Sequence, residues 1–426
     1  MRPPSTAKAN ILHVRRIDSS YEEVCTAASY RDTGLAPLSF FPEPSRPAPI
    51  CRLQVNALHD GVALGIALHH GLIDGTGIGA FVRKLASCCQ DASSSSLASS
   101  IPGSETTWDA QRIARDQLTA YATSNPPLSS QQETELRKEF TALADIVGGL
   151  DGFNDEVSEA GKSLTSRYFR LSAAKVSDLK SICNRIIAKS TQLQAAHGNT
   201  RWVSSNDLVV SLLAICVSRA REAAQCGRRL LHHQLTESGI CMAVDVRKRL
   251  DPPLPAGFLG NAVLLLRLCS DINMFLERDA PKEELQKVPH DALFQQSQHP
   301  NSWQVGLCRV ALSVRRRLNI IDDSYVRSVL AYLIAISVPA IPTYNPASVH
   351  VSSWRDIGVY DADFGLGLGP AREMYLQNAM VNDLFTVMPK RGRSEGDEAF
   401  WEIHVSVNRD IMDRLSSDRI WTSCIA

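Results

Sequence analysis

The sequence predicts a mixed α/β protein built in two halves, and three observations carry that reading. The chain has 426 residues with 44% hydrophobic and 21% charged content, enough material for sizeable cores in more than one domain. Strand-like and helix-like stretches follow one another without the strict alternation of a doubly wound parallel sheet. Gly148–Lys162 carries four glycines among mostly polar residues and reads as a connector, which places the domains at residues 1–160 and 161–426.

In the first half, Ser20–Ala28 has the composition of a short helix and Pro42–Pro49 of a proline-rich turn. Arg52–Leu58 alternates, with Leu53, Val55 and Ala57 on one face and Arg52, Gln54 and Asn56 on the other. That pattern predicts a strand with its apolar face inward and its polar face to solvent. His59-Asp60-Gly61 makes a tight turn, and Val62–Leu68 returns as the hairpin partner. This second strand lacks alternation, which predicts burial on both faces. Ile78, Phe81, Val82 and Leu85 recur at helical spacing and give a helix over Thr76–Cys89, followed by a serine-rich loop. Thr107–Tyr121 and Ser129–Val147 read as helices separated by Pro126-Pro127.

In the second half, Tyr168–Leu171 reads as a strand and Ala173–Lys189 as an amphipathic helix with Val176, Leu179, Ile182 and Ile186 inward. Ser204-Ser205-Asn206-Asp207 is an N-cap cluster opening an apolar helix, Leu208–Arg221. Met242–Val246 and Ala262–Leu268 read as strands, and Pro281–Gln286 and Asn301–Leu318 as helices. The last third is strand-rich, with Ser348–Ser353, Phe385–Met388 and Glu402–Val407, before a closing helix from Asp410. No repeating unit of solenoid or propeller length is visible.

Composition excludes several classes of partner. Lys+Arg and Asp+Glu both number 45, so bulk electrostatics gives no nucleic-acid or acidic-membrane partner. The longest apolar stretch, Val329–Val338, is about half a membrane span, so no spanning helix is expected. The 11 cysteines are scattered without a Cys-x-x-Cys or a zinc-ligand spacing, and Met1–Ile50 reads without a secretory signal. Free thiols, a cytoplasmic protein and no metal are the expectations.

The chemistry gathers at Leu68-His69-His70-Gly71-Leu72-Ile73-Asp74-Gly75, between the second strand and the helix that follows. A histidine at such a corner is suited to general-base work near neutral pH. A carboxylate four residues on either bonds Nδ1 and fixes the tautomer, or turns away to pin the loop with an arginine. Asp-Gly-Thr before a helix is also what an ordinary N-cap looks like. His232-His233 with Glu237 repeats the spacing without the preceding strand or the flanking glycines, so the pattern needs its context. Gly75-Thr76-Gly77-Ile78-Gly79-Ala80 fits G-x-G-x-x-A, but a serine tract stands where a dinucleotide fold needs its second strand and acid. A second glycine cluster, Asp363-Phe364-Gly365-Leu366-Gly367-Leu368-Gly369-Pro370, follows Ser352-Ser353-Trp354. No G-x-S-x-G occurs to support a hydrolase nucleophile.

Taken together these segments resemble the BAHD acyl-CoA-dependent acyltransferases, in particular their fungal trichothecene 3-O-acetyltransferase-like branch. His70–Asp74 with Gly75 matches the family's H-x-x-x-D-G, and His69 extends it to HHxxxDG. Asp363–Gly367 matches D-F-G-W-G, with Leu366 in place of the tryptophan. Ser204–Asp207, then Asp245-Val246-Arg247 with Pro255, Gly257, Gly260 and Asn261, then Ser352-Ser353-Trp354 match intermediate blocks in the family's order. The resemblance runs from about Ser39 to Leu415.

The resemblance implies two chloramphenicol-acetyltransferase-like domains with a tunnel between them. Part of the second domain would cross over to the first, and the N-terminal domain would be truncated, since family members carry a longer stretch before the motif. It implies transfer of an acyl group, acetyl above all, from acyl-CoA as cosubstrate to a hydroxyl or amine of a secondary metabolite, by a monomer with no permanently bound cofactor. His70 would be the general base and Asp74 would fix the loop through a salt bridge with Arg247. Asp363, Gly365 and Gly367 would shape the site from a distance, Gly75 would support the corner, and Ser352 and Trp354 would line the acceptor side. Two competing readings are a condensation-like enzyme that takes its acyl group from a carrier protein, and a catalytically silent member of the family.

Overall fold

The computed structural model describes residues 11–27, 35, 49–93, 108–124, 127–142, 164–196, 198, 200–226, 237–255, 257–271, 302–336, 340–342, 348–365, 367–376, 382–391 and 399–426. The expected turn at Pro42–Pro49 (all but Pro49), the expected helix at Pro281–Gln286 and the His232-His233 pair lie outside these residues. The chain forms two compact units. The first comprises Met1–Ile113, Pro255–Ala262 and Ile357–Met380; the second comprises Ala114–Leu254, Val263–Asp356 and Val381–Ala426. Two short stretches of the later sequence therefore belong to the first unit.

The first unit holds a three-stranded sheet in the order β1 (Leu12–Arg16), β2 (Cys51–Ala57), β3 (Val62–Leu68), with α1 (Tyr21–Ala27) and the long helix α2 (Gly75–Ser93). β2 and β3 form the expected antiparallel hairpin, and β1 adds in parallel to β2. Two burial expectations are overturned. In β2 the polar face is the buried one: Gln54 is 6% and Asn56 0% exposed. Each amide is satisfied, Gln54 Nε2 donating to Asn56 Oδ1 at 2.8 Å and Asn56 Nδ2 donating to the Leu35 and Ala63 carbonyls at 3.0 Å. Burying a polar group is costly only when it goes unpaired, so alternation alone does not decide which face turns inward. β3 is not buried on both faces; its residues are half-exposed, and Val62 is exposed.

The second unit is built on a six-stranded mixed sheet in the order β5 (Leu164–Ser172), β11 (Phe400–Asn408), β10 (Leu384–Val387), β9 (Ser348–Ser353), β6 (Glu237–Asp245), β7 (Val263–Asp271), beside a separate short pair of β4 (Phe140–Ala142) and β8 (Ala340–Pro342). The β9–β10 and β9–β6 pairs are parallel and the other neighbours antiparallel. One sheet face is apolar, with Val349, Val351, Phe385, Val387, Ile403 and Val405 buried. Helix Ser205–Cys226 is buried almost all round from Leu208 to Val217, as its composition predicts. Its start is a reciprocal cap in which Ser204 N–H donates to Asp207 Oδ2 and Asp207 N–H donates to Ser204 Oγ, with Arg315 paired to the Asp207 carboxylate at 2.7 Å. The amphipathic helix Ala173–Lys189 buries Val176, Leu179, Cys183 and Ile187; Ile182 and Ile186, expected inward, are half-exposed. The helix expected over Ser129–Val147 stops at Glu139, and Phe140–Ala142 instead pairs as a short strand with Ala340–Pro342.

The opposite face of this sheet is polar. Tyr168, His404, Thr386 and Ser352 stand in register on neighbouring strands. His404 is 1% exposed, lies 4.8 Å from the Tyr168 ring between centroids, and receives no hydrogen bond at Nε2 among the described residues. Burial lowers its pKa from 6.5 to about 4. His350 is lowered likewise to about 4, by burial and then by the Arg221 and Arg267 charges. Between those values the unfolded chain binds protons that the folded chain does not. The stabilising contribution is therefore complete above about pH 6.5 and is lost as pH falls toward about 4. Each site accounts for up to about 3 kcal/mol. His404→Phe is expected to make the fall in urea midpoint between about pH 7 and pH 4.5 shallower; a variant with the wild-type pH slope contradicts the assignment.

Candidate active site

The corner between β3 and α2 lies wholly within the first unit. β3 delivers His69, whose backbone N–H donates to the Ile50 carbonyl at 2.9 Å, and Leu72 N–H closes a turn onto the His69 carbonyl at 2.9 Å. His69 Nδ1 accepts the Gly71 N–H at 3.1 Å, so in the neutral ring the proton sits on Nε2. His70 is exposed, and among the described residues no hydrogen bond or ion pair engages its imidazole. The two histidines thus differ: one ring is tied to the local turn, and the other is presented outward.

Asp74 is 2% exposed and caps α2. Its Oδ1 accepts the Gly77 N–H at 2.8 Å, and its carbonyl accepts the first helical bond, from Ile78 N–H, at 2.8 Å. Its Oδ2 accepts the N–H of Ala262 at 2.8 Å, 188 residues away in sequence. One carboxylate oxygen thus caps the helix and the other holds Ala262.

Ala262 ends the strap Pro255–Ala262, which crosses into this unit. Gln111 holds the strap as a clamp: Nε2 donates to the Gly257 carbonyl at 2.7 Å, and Oε1 accepts the Leu259 N–H at 2.8 Å. Asn261 Nδ2 donates to the His70 carbonyl at 2.8 Å. At Gly77 a Cβ would run into the Leu259 carbonyl, and at Gly79 into the Ile357 carbonyl. Both glycines of α2 are thus places where another backbone passes too close for a side chain. Neither Gln111 nor the contacts of Asn261 are signalled locally in sequence; the glycine–asparagine block is visible, but its target is not.

The second glycine motif sits at the other end of α2. Gly365 packs on Gln90, 16 residues beyond Asp74, or about 24 Å along the helix axis. Gly365, Gly367 and Gly369 all have positive φ (60°, 79° and 70°), and Phe364 N–H to Gly369 O with Leu368 N–H to Gly365 O closes a tight loop. Asp363 Oδ1 accepts the Gly365 N–H at 2.8 Å and so caps its own loop. Asp363, Gly365 and Gly367 therefore lie at the opposite end of α2 from His70, whereas Gly75 is the first residue of α2. Leu366 lies outside the described residues.

The remaining expected site residues are in the second unit. Arg247 is 3% exposed and pairs with Asp245 at 3.2 Å, with its own N–H on the same Asp245 Oδ1 at 2.9 Å. Ser352 Oγ accepts the Trp354 indole N–H at 3.0 Å. A cavity of about 630 Å³ in this unit is lined by Glu135, Lys138, Glu139, Arg267, Cys269 and Arg317 and by no motif residue. Arg317 pairs there with Glu139, and Arg267 donates to the Lys138 carbonyl. Among the described residues no helix is long and apolar enough to cross a membrane.

A sequence model of the Transferase family matches residues 33–287. The chain belongs to this family, the BAHD acyltransferases. It is 35% identical over 427 residues to the O-acetyltransferase ptmV of Penicillium ochrochloron, covering 99% of this chain and 82% of that one. It is 33% identical to the O-acetyltransferase anaAT of Neosartorya fischeri, covering 90% and 74%. Among solved structures it is similar to Fusarium graminearum TRI101 complexed with coenzyme A and T-2 mycotoxin, with a TM-score of 0.66 and 21% identity over 97% of this chain and 81% of that one. It is similar also to vinorine synthase, with a TM-score of 0.56 and 14% identity over 96% and 76%. These likenesses establish the two-domain mixed α/β fold, and the relatives establish the chain as an O-acyltransferase.

The close packing along α2 yields a prediction. Gly79→Ala forces a Cβ against the Ile357 backbone, so it is expected to destabilise the protein by about 1–3 kcal/mol in urea unfolding. Wild-type stability in that variant would contradict the passage of the chain at this point.

Proposed function

We propose that His70 is the general base in the transfer of an acyl group, acetyl above all, from acyl-CoA to a hydroxyl or amine of a small secondary metabolite. The observation that carries the reading is the division of labour at the corner. The His70 imidazole is exposed and unengaged among the described residues, while both Asp74 oxygens accept backbone amides. Asp74 thus holds the loop, and the ring remains available for chemistry. The named relatives are O-acetyltransferases, and TRI101 is complexed with coenzyme A, which supports acetyl-CoA as cosubstrate.

In this mechanism a ring nitrogen of His70 takes the proton from the acceptor as its oxygen or nitrogen attacks the thioester carbonyl. The tetrahedral oxyanion then collapses, the carbon–sulfur bond breaks, and the departing thiolate recovers the proton from the imidazolium. The ring ends as it began. Such general-base assistance is worth about 10²–10⁴-fold. Ser352 and Trp354 are assigned to acceptor binding, and Asp363, Gly365 and Gly367 to support of the first unit. The cysteines described are free thiols, in keeping with a cytoplasmic enzyme, and we assign it as a monomer.

The test incubates purified protein with acetyl-CoA and a panel of sesquiterpenoid, polyketide and alkaloid alcohols, and follows free thiol. His70→Ala is expected to lower acyl transfer by about 10²–10⁴-fold at an unchanged melting temperature. Full activity in that variant overturns the assignment, and thiol release only from an acyl-carrier donor overturns the choice of cosubstrate.

A further inference from the structure

We propose that Asn261 is a positioning residue for His70, setting the direction of the imidazole through the peptide that follows it. The proposal rests on the reading of His70 as the base. His70 lies between two fixed points: the His69 N–H is held by the Ile50 carbonyl, and Asp74 is held by Gly77 and Ala262. Between them, His70 and Gly71 are the two central residues of the turn that Leu72 N–H closes onto the His69 carbonyl, and Gly71 N–H also donates to His69 Nδ1. The His70 ring is exposed, so packing does not fix its direction.

Under those conditions ψ of His70 decides where the side chain and the next peptide point, and the orientation of the His70 carbonyl reports ψ. Asn261 Nδ2 donates to that carbonyl at 2.8 Å. The donor is itself well placed to act as a fixed reference. Its neighbour Ala262 is tied to Asp74, and the strap behind it is clamped twice by Gln111, which is 5% exposed. Close approach at Gly77 presses the same strap onto α2. The chain thus holds the corner at two adjacent residues of one strap: Ala262 fixes the carboxylate that anchors the loop, and Asn261 fixes the peptide of the base. Because the Asn261 amide must present its NH₂ to a carbonyl, its orientation is determined by the bond it makes.

The consequence is a specific division between turnover and binding. A base misdirected by a fraction of an ångström loses rate while the cosubstrate still binds. The test uses full-length protein labelled at histidine Cε1, with His70→Ala locating the His70 resonance, alongside acetyl transfer from acetyl-CoA to the alcohol panel. In Asn261→Ala the His70 resonance is expected to broaden or divide. The turnover number should fall about 10–100-fold while KM for acetyl-CoA stays within about threefold. The melting temperature should move by less than about 2 °C. Asn261→Asp keeps the shape but has no N–H to donate when ionised, and is expected to reproduce the loss. An unchanged His70 resonance in Asn261→Ala overturns the proposal, as does a loss of rate that merely follows a loss of melting temperature. A perturbed resonance together with full activity in His70→Ala overturns the base assignment instead, and leaves the contact between Asn261 and the His70 peptide standing.

Discussion

The structure of the corner depends on one buried carboxylate. Asp74 is 2% exposed and accepts two backbone amides, from Gly77 and Ala262, at 2.8 Å each. Hydrogen bonds to an ionised acceptor are among the stronger ones, and a buried donor that loses its acceptor costs about 1–3 kcal/mol. One of the two bonds starts helix α2, and the other brings in a strap from a distant part of the sequence. Removing the carboxylate would therefore loosen the helix start and the strap together, and with them the loop that carries His70.

Helix α2 is the spine of the first unit for the same reason. Along its length it meets the strap at Gly77, the Ile357 backbone at Gly79 and the second glycine loop at Gln90. Arg83 adds a side-chain bond to the Ile357 carbonyl. The two sequence motifs thus meet the two ends of one helix. The first carries the Asp74 cap of the helix, and the second is a tight loop with three glycines at positive φ.

Much of this was legible in the sequence, and the failures have physical causes. The hairpin, helix α2, the capped helix after Ser204 and strand Ser348–Ser353 are specified by local pattern and were read within a few residues. The burial of Gln54 and Asn56 was not, because a side-chain amide paired to its neighbour and to backbone carbonyls makes a polar face compatible with burial. The helix from Ser129 is shorter than its local pattern predicts, because pairing of Phe140–Ala142 with the distant strand Ala340–Pro342 is a tertiary preference that overrides local propensity. At the site, His70 and Asp74 carried recognisable spacing. Gln111 and the targets of Asn261 and Ala262 did not, since each bond joins residues more than 140 positions apart.

The measurement that bears most directly on the role of Asp74 is amide hydrogen exchange at Gly77 and Ala262. If one carboxylate holds both segments, the two amides are protected in the wild type. In Asp74→Ala both lose protection, by about 10–100-fold, while Phe385 and Val405 in the six-stranded sheet keep theirs. Wild-type protection of Gly77 and Ala262 in that variant, or loss at one without the other, would contradict the account.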